Sequence, residues 1–117
     1  MKNAGTSPRR LRASDAAALR KLVKQADVAA QLLDAMSNKS RLLILCFLAV
    51  RGEMTVGEIV EEVDLSQSAL SQHLGKLRER RLVAFRREAQ TLHYRIADQR
   101  ALKVLNLLKE MYCGDLS

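Results

Sequence analysis

The sequence has few aromatic residues, with two Tyr, two Phe and no Trp among 117 residues. The core must therefore be built from Leu, Val, Ile and Ala, which are typical of packed helices. Hydrophobic residues make up 48% of the chain, which is enough for one domain with a buried core. We expect a single, mainly helical domain, and the composition argues against an all-β fold.

Long apolar segments are also missing. The longest, residues 42–50, is about half of the ~20 residues that a membrane-spanning helix requires. No apolar segment typical of a secretory signal lies near the N-terminus. We expect a soluble, cytoplasmic protein that has no membrane partner.

The residues that usually carry enzymatic or metal chemistry are scarce. The only cysteines are Cys46 and Cys113, without a Cys-X-X-Cys pair, and in a reducing compartment both would be free thiols. A thiol oxidoreductase would need such a pair or a cysteine beside a base. His73 and His93 are the only histidines, so a set of three or four metal ligands is hard to assemble. We therefore predict no catalytic residue, no metal and no cofactor.

Positive charge is concentrated in two segments of a chain whose net charge is +7. Residues 1–14 carry four basic and no acidic side chains, and residues 66–95 carry seven basic and two acidic ones. Residues 15–65, in contrast, have a net charge of −2. A solvated surface does not explain this asymmetry, which favours a polyanionic partner such as DNA.

The chain divides into an arm and a folded domain. Residues 1–14 contain the only Pro and are predicted to be a disordered basic arm, and residues 15–117 form the domain for DNA binding and dimerisation. Apolar residues at helical spacing predict a first long helix from Asp15 to Met36. Asn38 is placed to cap a second, buried helix that Gly52 ends.

Two further helix starts follow in close succession. Thr55 and Glu58 have the spacing of a capping box, and the short helix that they begin ends near Asp64. Ser66 is placed to cap the next helix, in the segment 65–81. Two capped helices separated by about three residues indicate a helix-turn-helix.

After residue 81 the apolar period changes from 3.6 to 2. Residues 83–85 and 92–96 predict a β-hairpin with a charged tip at 87–90, and Asp98 can cap a last helix. The order helix, helix, helix, helix, hairpin, helix predicts a winged helix-turn-helix, mainly α with a small β-hairpin.

The helix over residues 65–81 is the candidate recognition helix. Leu70, Leu74 and Leu77 share one face and are predicted to be buried, so Ser, Gln and Gly side chains face outward. Gln can pair with an adenine edge, and Ser adapts to several base edges. Such a face is unusual for a merely solvated helix, which carries Glu, Lys and Arg. The candidate DNA-binding residues of this helix are Gln67, Ser68, Ser71, Gln72, His73 and Lys76.

His73 can instead be a packing histidine, because it lies at the edge of the buried face. In the hairpin, Arg86, Arg87 and Arg95 are predicted to neutralise phosphates or to enter the minor groove. A non-specific architectural DNA-binding protein would share the charge but not the Ser and Gln face. We expect a two-fold dimer, formed through the first and last helices, on double-stranded operator DNA with half-sites about 10 base pairs apart.

Residues 36–95, with SNKSRLLIL, GEMTVGEIVEEVDLSQSALSQHLGKLRERRLV and RREAQTLHYRI, resemble the ArsR/SmtB family of winged-helix repressors. The resemblance implies that the LSQSALSQHL segment contacts DNA and that the first and last helices make a homodimer. Metal sensors of this family have paired cysteines where this chain has residues 53–58, and ligands along a last helix that here contains no His. A metal-responsive repressor is therefore the least favoured alternative.

Cys46, in the helix before the helix-turn-helix, and Cys113, near the end of the last helix, resemble the dithiol of the BigR, SqrR and HlyU-like subgroup. This resemblance implies a repressor that persulfides or oxidants induce by linking the two thiols, directly or through added sulfur. Alternatively, Cys46 is a small core residue and Cys113 lies at a fraying helix end. The chain would then be a repressor without a thiol switch, similar to the rhizobial nodulation regulators.

Overall fold

A computed structural model describes Arg12 and residues 15–114. Apart from Arg12, the predicted basic arm of residues 1–14 lies outside the described residues. The described part is mainly helical with a small antiparallel sheet, as predicted. Its elements are α1 (Ala16–Lys24), α2 (Ala26–Met36), α3 (Lys39–Arg51), β1 (Met54–Thr55), α4 (Val56–Glu62), α5 (Gln67–Glu79), β2 (Val83–Glu88), β3 (Thr91–Ile96) and α6 (Gln99–Cys113).

The described residues divide into two compact units, one that ends at Ala30 and one that begins at Gln31. In the first unit, α1 has no buried residue, and its apolar side chains Leu19, Leu22 and Val23 are exposed. The second unit contains the helix-turn-helix, the sheet and α6. Its core is formed by buried aliphatic residues of these elements, among them Ile44, Leu45, Leu48, Ile59, Leu70, Leu74, Leu77, Ala101 and Leu105.

The prediction of one helix from Asp15 to Met36 is wrong, because Gln25 separates α1 from α2. Gln25 has φ −104° and ψ 9°, and its N–H donates to the carbonyls of both Lys21, at 3.1 Å, and Leu22, at 3.0 Å. This tightened turn interrupts the helix at a single residue. Gln is a good helix former, so the residue type carries no signal of the break.

The four predicted N-caps are confirmed, each with a side-chain oxygen that accepts from a backbone N–H two or three residues later. They are Asn38 for α3, Thr55 for α4, Ser66 for α5 and Asp98 for α6. The capping box is complete, because the Glu58 carboxylate also accepts from the Thr55 N–H at 2.8 Å. Gly52 ends α3 with a φ of 85°. Local hydrogen bonding therefore sets the starts of α3, α4, α5 and α6.

The sheet has three strands in the order β1-β3-β2, one more than the predicted hairpin. The added strand, β1, pairs Met54 with Tyr94 in β3. Two residues are too short for a period of 2, so the sequence carried no signal for β1. The hairpin tip is also shorter than predicted, because β2 and β3 pair as far as Glu88 and Thr91 and leave residues 89–90 as the turn.

Candidate functional site

The polar face of α5 is exposed because its apolar face is buried. Leu70, Leu74 and Leu77 are at most 1% exposed, as predicted. Five of the six candidate residues of α5 are exposed, namely Gln67, Ser68, Ser71, Gln72 and Lys76. The space outside Gly75 is open, since a Cβ there would meet no atom within 4 Å. Five short or flexible polar side chains are therefore presented together beside a position where another molecule can approach the backbone.

His73 differs from the other candidates on α5 because it is half-buried. Its Nδ1 is buried and has no hydrogen-bond partner among the described residues. Burial lowers the pKa of His73, and the positive charges of Arg41 and Lys76 lower it further. Both effects favour the neutral ring, and its contact with DNA stays a prediction.

The three candidate arginines of the hairpin do not share one face. Side chains alternate along a strand, and the register places Arg86 beside His93 and Arg95 beside Ala84 on one face, with Arg87 on the other. All three are exposed. Arg87 and Arg95 make no ion pair within the described part of the chain.

Arg86 is held by an acidic residue that the sequence did not suggest. Its Nε lies 3.1 Å from both carboxylate oxygens of Glu53, and its Nη2 lies 2.9 Å from Oε1. The Arg86 guanidinium is the largest cause of a lowered pKa at Glu53. No local pattern links residues 33 positions apart, so sequence analysis missed Glu53.

A second contact joins α5 to the hairpin. The guanidinium carbon of Arg78 lies 5.0 Å from the centre of the Phe85 ring, and the Phe85 and Tyr94 rings are 5.4 Å apart. Arg attracted to an aromatic face in this way contributes about 0.5–1 kcal/mol at exposed sites. Arg78 therefore helps to set the hairpin against α5, a role that its place in a basic segment did not indicate.

Cys46 and Cys113 line one cavity of about 470 Å³ between α3 and α6. Both are free thiols; Cys46 is half-buried and Cys113 is exposed. Burial raises the pKa of Cys46, and the neighbouring Cys113 raises it further. The rest of the lining is mainly apolar, with Leu42, Ala49, Val50, Leu105, Asn106, Leu108, Lys109 and Tyr112. The fold thus brings together two thiols that are 67 residues apart.

Within residues 12 and 15–114, no three His, Cys, Asp or Glu side chains are grouped so that they could hold a metal ion. The same residues include no helix long and apolar enough to cross a membrane.

A capped helix with an exposed polar face, followed by a basic hairpin, defines the class of winged helix-turn-helix transcriptional regulators. Residues 38–84 match the family model described as bacterial regulatory protein, arsR family. The chain is 50% identical over 92 residues to nodulation protein NolR of Rhizobium meliloti, and the match covers 79% of this chain and 75% of that protein. It belongs to the ArsR family and is a transcriptional regulator, not an enzyme.

Two further relatives agree with this assignment. The transcriptional activator HlyU of Vibrio cholerae is 44% identical over 95 residues, covering 81% of this chain and 87% of that protein. The crystal structure of the transcriptional repressor BigR from Xylella fastidiosa superposes with a TM-score of 0.75 at 35% identity, over 82% of this chain and 97% of that one. The predicted family and the winged-helix fold are confirmed.

Proposed function

We propose that this chain is a cytoplasmic repressor that binds double-stranded operator DNA in a sequence-specific manner, as a homodimer. The observation that carries the proposal is the face of α5, where serine and glutamine side chains are exposed opposite the buried Leu70, Leu74 and Leu77. Exposed helix positions that serve only solubility favour longer charged side chains. Short hydrogen-bonding groups on a helix narrow enough for the major groove instead suit contact with base edges.

Different residues have different parts in this proposal. Gln72 presents a donor and an acceptor to adenine, and Gln67, Ser68 and Ser71 contact neighbouring base edges or phosphates. Lys76 and His73, at the side of the helix, contact the phosphate backbone. From the hairpin, Arg87 and Arg95 neutralise phosphates or enter the minor groove.

Dimerisation is proposed through α1 and α6, each of which has exposed apolar side chains. In α6, Leu107 is 54% exposed, Met111 57% and Tyr112 81%. A helix whose apolar residues are this exposed is suited to an interface with another chain. The molar mass in solution, measured by light scattering, tests this directly, and a monomer at micromolar concentration would contradict it.

The test of sequence-specific binding is competition between operator and unrelated DNA at several salt concentrations. The proposal expects a specificity ratio of about 10³ or more, because specific regulators differ from their own non-specific binding by at least this factor. A specificity ratio near one at every salt concentration would contradict sequence-specific binding and favour a non-specific architectural protein.

We further propose that the dithiol of Cys46 and Cys113 switches operator binding in response to a reactive sulfur species or an oxidant. The shared cavity supports this proposal, because each thiol is within reach of reagents that enter it. A hydropersulfide, RSSH, transfers its outer sulfur to Cys46 and leaves as the thiol RSH. The Cys113 thiolate then attacks the inner sulfur of the Cys46 persulfide, releases H₂S and forms a disulfide.

If both cysteines first become persulfides, their condensation releases one H₂S and leaves a trisulfide. Either link ties α3 to α6 and changes how the two recognition helices of the dimer meet DNA. The experiment incubates reduced protein with glutathione persulfide and follows intact mass together with operator affinity. The expected result is a Cys46–Cys113 link and weaker binding, which Cys46→Ser and Cys113→Ser each prevent while retaining operator affinity.

A regulator without a thiol switch is the second candidate. The similarity to NolR favours it, as does the raised pKa of Cys46, which keeps that thiol protonated and slow to react at neutral pH. Absence of a linked product, or a linked product with unchanged operator affinity, would support this candidate and contradict the switch.

A further inference from the structure

One basic residue of the hairpin is already engaged by acidic groups. Nε and Nη2 of Arg86 contact the Glu53 carboxylate at 2.9–3.1 Å, and Nη1 lies 3.5 Å from Oε2 of Glu88. Glu88 in turn lies 3.7 Å from Nε2 of His93, on the neighbouring strand. A DNA phosphate would have to displace a two-pronged ion pair to reach this guanidinium, whereas Arg87 and Arg95 have no ion-pair partner among the described residues.

Glu53 is well placed to hold the hairpin because of its position in the chain. It follows Gly52, which ends α3, and precedes Met54, which pairs with Tyr94 of β3. The ion pair therefore joins the end of α3 to β2, the strand of the sheet that β1 does not contact. Within the sheet, β2 is otherwise connected to β1 only through β3, which lies between them.

We infer that Glu53 is a positioning residue for DNA binding, which acts through Arg86 to hold the hairpin at the angle that brings Arg87 and Arg95 to the phosphates. In this arrangement Arg86 does not contact DNA. Its charge instead masks the Glu53 carboxylate, which would otherwise repel the phosphate backbone. The inference rests on the proposed DNA binding.

Arg86 could contact phosphate or position the hairpin, and the two roles predict opposite effects of Glu53→Gln on operator affinity. If Arg86 contacted phosphate, removal of its competing carboxylate would release the guanidinium and tighten operator binding. If Arg86 positions the hairpin, Glu53→Gln weakens binding, roughly two- to fivefold, which is the range for an ion pair that is half-exposed. Glu61→Gln is the matched control, because this exposed glutamate makes no ion pair among the described residues and its loss measures the effect of charge alone.

Salt dependence and a conservative substitution give independent measurements. Loss of a phosphate contact lowers the slope of log affinity against log salt by about one. We expect this change for Arg87→Gln and Arg95→Gln, and an unchanged slope for Arg86→Gln. Arg86→Lys keeps the charge that masks Glu53 but not the two-pronged geometry, so it should bind DNA more weakly than the wild-type protein. The double variant Glu53→Gln/Arg86→Gln should be no weaker than either single variant.

Tighter binding of Glu53→Gln than of Glu61→Gln, or a lower salt slope for Arg86→Gln, would overturn the inference and return Arg86 to the DNA contacts. Operator affinity of Arg86→Lys equal to that of the wild-type protein would also overturn the inference. Failure of the proposed function is distinguishable, because the wild-type protein would then not discriminate operator from unrelated DNA. Hydrogen exchange of the β2 amides in the DNA-free protein completes the test: faster exchange in Glu53→Gln supports positioning, and unchanged exchange contradicts it.

Discussion

The backbone N–H of Leu82 donates to the carbonyl of Leu77 at 2.9 Å. Together with the bond from the Arg81 N–H to the Arg78 carbonyl, also 2.9 Å, it closes the C-terminus of α5 in a Schellman motif. Leu77 and Leu82 are both buried. The last turn of the candidate recognition helix is thus joined directly to the start of the hairpin.

This closure places Arg81 in the left-handed region, with φ of 61°. A residue with a Cβ is strained there, and glycine is not. We predict that Arg81→Gly raises the free energy of unfolding by about 0.5–1 kcal/mol in urea denaturation. Glu79→Gly, at the last helical residue of α5, should instead lower it; equal effects of the two substitutions would contradict the prediction.

Gly75 separates helix stability from DNA binding. Because a Cβ at this position meets no atom within 4 Å, Gly75→Ala should raise the free energy of unfolding by about 0.5–1 kcal/mol through helix propensity. The same methyl group should weaken operator binding, because it occupies space where the DNA backbone approaches. Gly57→Ala in α4, where the nearest atom is 4.0 Å away, is the control expected to leave operator affinity unchanged. If Gly75→Ala bound operator with unchanged affinity, the DNA backbone would not approach the helix at Gly75.

Gln72 and Arg87 should differ in what they contribute to binding. Gln72→Ala removes a proposed base contact, so it should cost about 1–3 kcal/mol on the operator and relax specificity at one base pair, with the salt slope unchanged. Arg87→Gln removes a proposed phosphate contact, so it should weaken operator and unrelated DNA alike and lower the slope by about one. Affinity for a set of single-base operator variants distinguishes the two, and a uniform loss for Gln72→Ala would contradict base contact.

Cys46 should react slowly at neutral pH. Burial raises its pKa, so a smaller fraction is thiolate than in an unfolded chain. In Cys113→Ser, which isolates Cys46, the alkylation rate with iodoacetamide should rise with pH along a curve displaced to higher pH than that of the same variant in urea. Coincident rate curves for the folded variant and the variant in urea would contradict a raised pKa of Cys46.

The same shift affects stability. Because the folded state retains the Cys46 proton to higher pH than the unfolded state does, the stability it contributes is present below the unfolded pKa and lost as pH rises through the folded value. The free energy of unfolding should therefore fall less with alkaline pH in Cys46→Ser than in the wild-type protein.

Local chemistry made much of the fold predictable. The caps at Asn38, Thr55, Ser66 and Asp98 are confirmed because each depends on hydrogen bonds within three residues, and such bonds leave a short residue pattern. The burial of Leu70, Leu74 and Leu77 follows from helical periodicity in the same way, and with it the exposed face of α5. Gln25 shows the limit, since its φ of −104° and ψ of 9° end α1 although Gln is a good helix former.

The sequence by itself therefore determined the starts of α3, α4, α5 and α6, the mainly helical winged fold and the residues that the candidate recognition helix exposes. Only the tertiary structure decided which distant side chains meet. It pairs Glu53 with Arg86 and places Cys46 beside Cys113 in one cavity. Such contacts depend on how α3, α6 and the sheet pack, and packing is set by the sum of many buried contacts rather than by the spacing of any two residues.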